Sequence, residues 1–303
     1  MDSYTRGIGP LPIVGGLILL LVLIVALFAP LLAPYDPLLV TGPPLAPPDA
    51  SHILGTNDIG QDVLSEWLWG ARSSMIVAVL VTALSTAMSW GVGMTAGLSR
   101  RAEGPLIAVA DLLLALPGIP LYILAVALIG SSQWHLILVI GLLSWPSFAR
   151  IVRAQVIALR TQAYVDAARA CGATGLHIAR RHILPGTLGL LPAKLVLTVR
   201  FAIFTEATLG FLGLGDPSAR SWGTMLGWAF GYPLVFVRGA WVWWVLPPAL
   251  SIMLVVLATT WLSTGTSYDG NEWDANFQNR ITTIRPGRER RPNAPVSAPA
   301  TPQ

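Results

Sequence analysis

Six apolar stretches decide what this chain can fold into. They cover 11–33, 74–98, 105–130, 135–152, 186–208 and 241–262, each bounded by polar residues. The hydrocarbon core of a bilayer is crossed by about 20 apolar residues in helical form, with a range of about 17–25. The first, second and sixth stretches contain no Asp, Glu, Lys or Arg. Only 11% of the chain is charged and 54% is hydrophobic, whereas a soluble domain carries about 25% charged residues. A surface wetted on all sides cannot be built from so few charges. The sequence therefore predicts an all-α, polytopic membrane protein with six transmembrane helices. The fourth stretch is short, and its helix is expected to continue through "ARIVRAQVIALR". The first exceeds the roughly 7–15 residues of a signal-peptide core and only Arg6 precedes it, so it is read as a retained helix.

Basic residues orient the spans, because Lys and Arg are retained on the cytoplasmic side. Six spans put both termini on one side. That side carries Arg6, Arg100, Arg101, Arg150, Arg153, Arg160, Arg169, Arg180, Arg181, Arg280, Arg285, Arg288, Arg290 and Arg291, out of 19 Lys and Arg in all. Arg72, Arg220 and Arg238 fall opposite, and Lys194 and Arg200 lie within the fifth span. Both termini and residues 150–185 are thus expected in the cytoplasm. The chain divides into 1–33, a cytoplasmic N-terminus and first span; 34–73, an external segment; 74–262, a five-helix core that includes 150–185; and 263–303, a cytoplasmic tail. The tail is rich in Pro, Arg and Ala without periodicity after about 281, which predicts disorder there.

Several classes of function are excluded. The net charge of +4 lies in short basic runs beside apolar segments, so nucleic-acid binding is not expected. Cys171 is the one cysteine, so no intrachain disulfide can form. A Walker A loop needs Gly-Lys-[Ser/Thr]; the one lysine, Lys194, follows Ala193. Any ATP chemistry must come from another polypeptide. Catalytic carboxylate pairs, His-Glu-x-x-His and Gly-x-Ser-x-Gly are absent from the sequence, and no enzymatic activity is expected. His52 and His135 stand alone on the outer side, so no metal site is predicted.

The segment "DAARACGATGLHIARRHILP", 166–185, is charged and helix-prone in an otherwise oily chain. Ala and Arg favour helix through Ala170, Gly172 interrupts it, and Thr174 is placed to cap a second short helix. Leu176, Ala179 and Ile183 fall on one face at spacings of three and four. Pro185 fits the first turn of the following span. This helix–glycine–helix bracket has an apolar seam and a cationic flank, suited to a groove on a partner protein. A basic loop that only enforces topology and touches anionic lipid is the plainer reading.

Asp166-Ala167-Ala168, three residues, Gly172, then Leu184-Pro185 resembles the coupling signature of bacterial ABC importer permeases, with Asp in place of Glu and His182 where Ile is usual. Two further stretches resemble the dipeptide/oligopeptide/nickel branch of that family, in its C-type subunit: "HILGTNDIGQDVLSEWLWGARSS", 52–74, and "TEATLGFLGLGDPSARSWGTML", 205–226. The end differs, with "TGTSYDGNEWDANFQNR" after the sixth span. The resemblance implies a type I ABC importer permease in the bacterial inner membrane, with a homologous second permease, two ATPases that bind ATP and Mg, and an external substrate-binding protein. Peptides are the implied cargo; nickel, haem or another small solute moves through the same family. In this reading Asp166, Ala167 and Ala168 form the first docking turn, Gly172 allows the bend and a close backbone approach, and Arg180 and Arg181 face acidic groups on the ATPase, with Leu184 and Pro185 closing the segment.

Ionisable groups inside spans are functional candidates by default. Asp111, Arg200 and Glu206 are the candidate pathway groups; snorkelling is favoured for Lys194 and an interfacial position for Glu206. Trp241, Trp243 and Trp244 are expected in an interfacial belt. "DVLSEWLWG" places Val63, Trp67 and Gly70 on one stripe beside Asp62 and Glu66. This amphipathic helix would lie on lipid, the partner permease or the binding protein, with Asp58, Asp62 and Trp67 as contact candidates. A secondary transporter or channel independent of any ATPase is the rival reading. It would need inverted repeats or a charge relay, and neither is visible in the sequence.

Overall fold

The computed structural model describes residues 10–283, with side chains described through Thr264. It divides into two units, Met1–Gly265 and Thr266–Gln303; the packing described below lies within the first. Residues 284–303, where the sequence predicts disorder, lie outside the described residues. The described chain is helical without strands, apart from isolated bridges between Val40 and Gln61 and between Thr56 and Asp62.

The helices are α1 (Pro10–Leu32), α2 (Val63–Leu98), α3 (Arg100–Ala115), α4 (Gly118–Ile129), α5 (Gln133–Leu143), α6 (Pro146–Arg160), α7 (Ala163–Ala170), α8 (Gly175–Ile178), α9 (Leu184–Thr187), α10 (Leu191–Leu209), α11 (Trp222–Gly231), α12 (Trp241–Trp244) and α13 (Leu246–Thr283). Five segments are long and apolar enough to cross a membrane: Pro10–Leu32, Val63–Leu98, Gln133–Arg160, Gly175–Leu214 and Trp241–Thr264. The sixth expected span is a bent pair, α3 and α4, turning by 95°. Pro117 causes the break. Leu116, ahead of it, is held extended at φ −87° and ψ 142°, because the proline ring disfavours helical backbone in the preceding residue.

α2 is the central mast, packed by α1, α3, α5, α6, α10 and α11. It begins at Val63, eleven residues before the expected span, so the amphipathic stretch 63–73 is the first part of the mast and not a separate external helix. Its start is fixed by Asp62, whose carboxylate accepts from the Ser65 N–H at 2.8 Å. Asp62 thereby satisfies a donor that the first helical turn leaves open. Lower down, small residues let the neighbours close in. A side chain at Gly93 would meet the Ala149 carbonyl and the Val152 Cβ at 2.7 Å, and one at Gly97 would meet the Val156 Cβ at 2.6 Å.

Contacts along the mast sort the molecule into two ends. Near the α2 N-terminus, Trp67 donates to Ser251 at 2.8 Å, and the Trp222 indole donates to the Trp67 carbonyl at 3.2 Å. Near the C-terminus, Trp90 donates to Thr187 at 3.1 Å and Arg160 to the Gly97 carbonyl at 2.6 Å. Gly15 of α1 packs against Ala258, Trp261 and Leu262. These lie about 10–16 Å along α13 from Ser251, so the start of α1 and Thr264 share the Arg160 end.

The tryptophans that open the last span do not form a belt. Trp244 is fully buried and Trp243 donates to the Thr56 carbonyl at 3.3 Å, leaving Trp241 exposed. The loop 34–62 folds back over this end and supplies carbonyls that an indole N–H can use.

Candidate functional site

The bracket 163–187 is built on its own apolar core. Val165 of α7, Ile178 and Ile183 are buried against Phe148, Val152 and Val156 of α6. The seam differs from the expected one: Leu176 is 65% exposed, while Ile178 and Ala179 turn inward with Ile183. The reason is a π-helical turn at Ala179–Ile183. With i→i+5 bonding, residues five apart stack, so Ile178 and Ile183 share a face in place of the i, i+3, i+4 set.

Gly172 stands at φ +85°, and a Cβ built there would meet nothing within 4 Å. It is needed for its left-handed backbone; the close approach expected of it is not made within this chain. Its N–H donates to the Arg169 carbonyl at 2.9 Å and ends α7. Thr174 then caps α8 through the His177 N–H at 3.3 Å. Pro185 sits in the first turn of α9, where its missing N–H costs nothing. The helical run from Gly175 to Leu214 spans 40 residues, about 60 Å if straight, against a hydrocarbon layer of about 30 Å. Its first turns must therefore project beyond the bilayer.

The outward face carries Tyr164, Ala167, Leu176, Arg180, Arg181, Leu184 and Pro185, all exposed, with Ala168 half-buried. Asp166 is exposed and pairs with Arg169 at 3.0 Å. Among the described residues, neither Arg180 nor Arg181 has an ion pair. His182 lies 5.9 Å from the Tyr164 ring and 6.0 Å from that of His177. Apolar knobs flanked by free guanidinium groups, held on a rigid base, make a surface that can dock and transmit displacement.

The candidate pathway residues are not brought together. Asp111 on α3 is half-exposed and pairs with Arg150 of α6 at 3.5 Å. Arg200 is half-buried and reaches Thr260 at 3.5 Å. Glu206 is 2% exposed and accepts from the Ser74 hydroxyl at 3.1 Å. It is neither interfacial nor part of an open lining, because α2 and α11 close over it: the Trp222 N–H bonds the same hydroxyl at 3.4 Å. Lys194 does not snorkel. It is 3% exposed, donates to Ser85 at 2.9 Å and lies 5.1 Å over the Phe148 ring. It is buried between α2, α6 and α10.

At the other end, the external candidates have structural partners. Asp62 is 1% exposed; besides capping α2 it bonds Nδ1 of His52 at 2.9 Å and the Ser65 hydroxyl at 2.7 Å. It is enclosed and offers no oxygen to a docking protein. Trp67 is half-buried and committed to Ser251. Asp58 is half-buried, and burial pushes its carboxyl above the usual range. It lines a cleft of about 450 Å³ with Asn57, Gln61, Arg220, Trp228 and Tyr232.

The sequence did not disclose the group beside that cleft. Glu66, fully buried, lies 3.0 Å from Arg220, whose guanidinium also donates to Gln61 at 3.0 Å and stacks 4.5 Å over Trp228. Glu66 and Arg220 are far apart in the chain, and no local spacing signals their pairing. The only hint was that each sat in a stretch resembling the same permease branch.

Residues 87–266 match the family model described as the binding-protein-dependent transport system inner membrane component. The chain is 37% identical over 274 residues to the di/tripeptide transport system permease protein DppC of Pseudomonas aeruginosa (strain UCBPP-PA14), covering 87% of this chain and 88% of that one. It is also 37% identical over 257 residues to a Brucella suis biovar 1 (strain 1330) protein provisionally named a peptide permease, with 82% and 83% covered. The matched region takes in α3–α12, the bracket and the apolar part of α13. The chain therefore belongs to the family of multi-pass inner-membrane permease components of binding-protein-dependent ABC import systems.

Proposed function

We propose that this chain is one of two related permease subunits of an ATP-driven importer of di- or oligopeptides. It forms half of the pathway and couples to an ATPase subunit through the 163–187 bracket. The observation that carries this is the bracket itself: a rigid apolar base under an exposed face with Ala167, Arg180, Arg181 and Leu184. The peptide cargo is supported by the di/tripeptide permease of similar length. Two ATPases bind ATP and Mg, and an external binding protein delivers the substrate.

In this reading the Arg160 end faces the cytoplasm, with the start of α1 and Thr264 beside it. The arginines at 100, 101, 150, 153, 160, 169, 180 and 181 support that orientation. When the ATPases close, they displace α7 and α8. The cluster of Val165, Ile178 and Ile183 on Phe148, Val152 and Val156 moves with them, because a packed core transmits strain instead of absorbing it. α6 and the run into α10 then tilt against the α2 mast, and the opening alternates between faces.

Reconstitution tests this. Proteoliposomes holding the full complex, given binding protein and internal ATP, should accumulate tripeptide, and leaving out the ATPases should abolish uptake. Flux through liposomes containing this chain alone would instead support a channel or secondary transporter.

A further inference from the structure

We propose that the cleft between α3 and α6 is a docking track for the charged ends of a short zwitterionic peptide inside the membrane. This rests on the peptide-import reading. The cleft, of about 500 Å³, is lined by Arg100, Glu103, Ala108, Asp111 and Arg153. Two ion pairs bridge its walls: Glu103 with Arg153, and Asp111 with Arg150 at 3.5 Å.

Depth and exposure make these pairs unusual. Asp111 lies about 16 Å along α3 from Arg100, and Arg150 about 15 Å along α6 from Arg160. Both are therefore near the middle of a hydrocarbon layer about 30 Å thick. Yet the Asp111 and Arg150 side chains are 51% and 53% exposed. A charge there facing lipid is strongly disfavoured, and such groups face bundle interiors or water-filled cavities. Glu66, Lys194 and Glu206 obey that rule by burial; Asp111 and Arg150 obey it only if their open side is hydrated. α3 also suits a pathway wall, since of its residues only Ala110 is buried.

The chemistry of the track fits one ligand class. Each rung offers a carboxylate and a guanidinium. An α-ammonium exchanges onto the carboxylate and an α-carboxylate onto the guanidinium, in charge-assisted hydrogen bonds. Glu103 and Asp111 are about 12 Å apart along α3, and an extended tripeptide spans about 10–11 Å. A tripeptide thus reaches from one rung to the other whatever its side chains, which a transporter of varied peptides requires.

The test uses the complete importer in proteoliposomes with trialanine as the probe. The double variant Asp111→Leu, Arg150→Met replaces the rung by an apolar contact, a type of exchange buried pairs often tolerate in stability. Trialanine imported per ATP hydrolysed should fall about tenfold, the loss expected when charged hydrogen bonds to the ligand vanish. An unchanged ratio would make the pair a strut between helices and overturn the proposal. A second arm does not depend on that variant. Ala108→Cys, in a Cys171→Ser chain, is labelled with a charged, membrane-impermeant thiosulfonate in complex held with a non-hydrolysable ATP analogue and binding protein. Labelling should occur and trialanine should slow it severalfold. No labelling, or labelling indifferent to trialanine, would overturn the proposal. A wild-type importer that carries no trialanine would sink the peptide reading itself, whereas import that ignores both changes would sink the track alone.

Discussion

The two ends of the mast handle their charges in opposite ways. At the α2 N-terminus, Asp62, His52, Glu66 and Arg220 face inward and have partners at 2.7–3.0 Å. At the Arg160 end, Arg180 and Arg181 face outward without an ion pair among the described residues. Buried charges left unpaired are costly, so the outer end uses its polar groups to hold the loop 34–62 and α11 onto α2. The exposed guanidinium groups of the bracket contribute little to the fold. The comparison teaches that charge in this chain is structural where it is buried and available for partners where it is not. Substitutions at the two ends should therefore separate stability from coupling.

The largest loss of stability is expected from Arg220→Met, which leaves the Glu66 carboxylate buried and alone. Removing one partner of a buried pair costs about 3–5 kcal/mol. Denaturation midpoints in detergent should show it, and the double change Glu66→Met, Arg220→Met should recover a substantial part. Asp62→Ala removes the cap of α2 and the His52 partner together, and a lost cap costs about 0.5–2 kcal/mol. Gly172→Ala should be milder in stability, about 1–2 kcal/mol for a side chain forced into left-handed backbone, but it distorts the bracket. Its uptake should fall further than its melting shift explains. Arg180→Ser with Arg181→Ser closes the series. Stability should change by no more than about 0.5 kcal/mol, as for surface substitutions generally, while peptide uptake per ATP falls. If that pair of changes leaves uptake intact, the basic flank serves topology and lipid contact only.

The helical class and the extent of the spans were legible because period and charge scarcity are local properties. The bracket was legible for the same reason: Gly172, Thr174 and Pro185 act within a few residues of themselves. The seam was misjudged at Leu176 because the π turn at Ala179–Ile183 shifts the stripe, and nothing in "ARRHI" announces such a turn. The third stretch read as one span because its hydropathy is continuous across Pro117, although the proline bends it by 95°. Lys194, Glu206 and Asp62 were misplaced for a further reason. Their burial depends on Ser85, Ser74 and His52, and apart from His52 these partners sit more than a hundred residues away. Side-chain pairing over such distances leaves no periodic trace.

The central claim is that the exposed face of the bracket seats on an ATPase. Ala167→Cys in a Cys171→Ser chain, treated with a short bismaleimide in the assembled importer, tests it most directly. The account predicts a crosslinked product joining this chain to an ATPase subunit, formed in a yield that changes when ATP binds. A cysteine at 167 that never joins an ATPase, and that reacts in intact spheroplasts with an impermeant thiol reagent added outside, would contradict it.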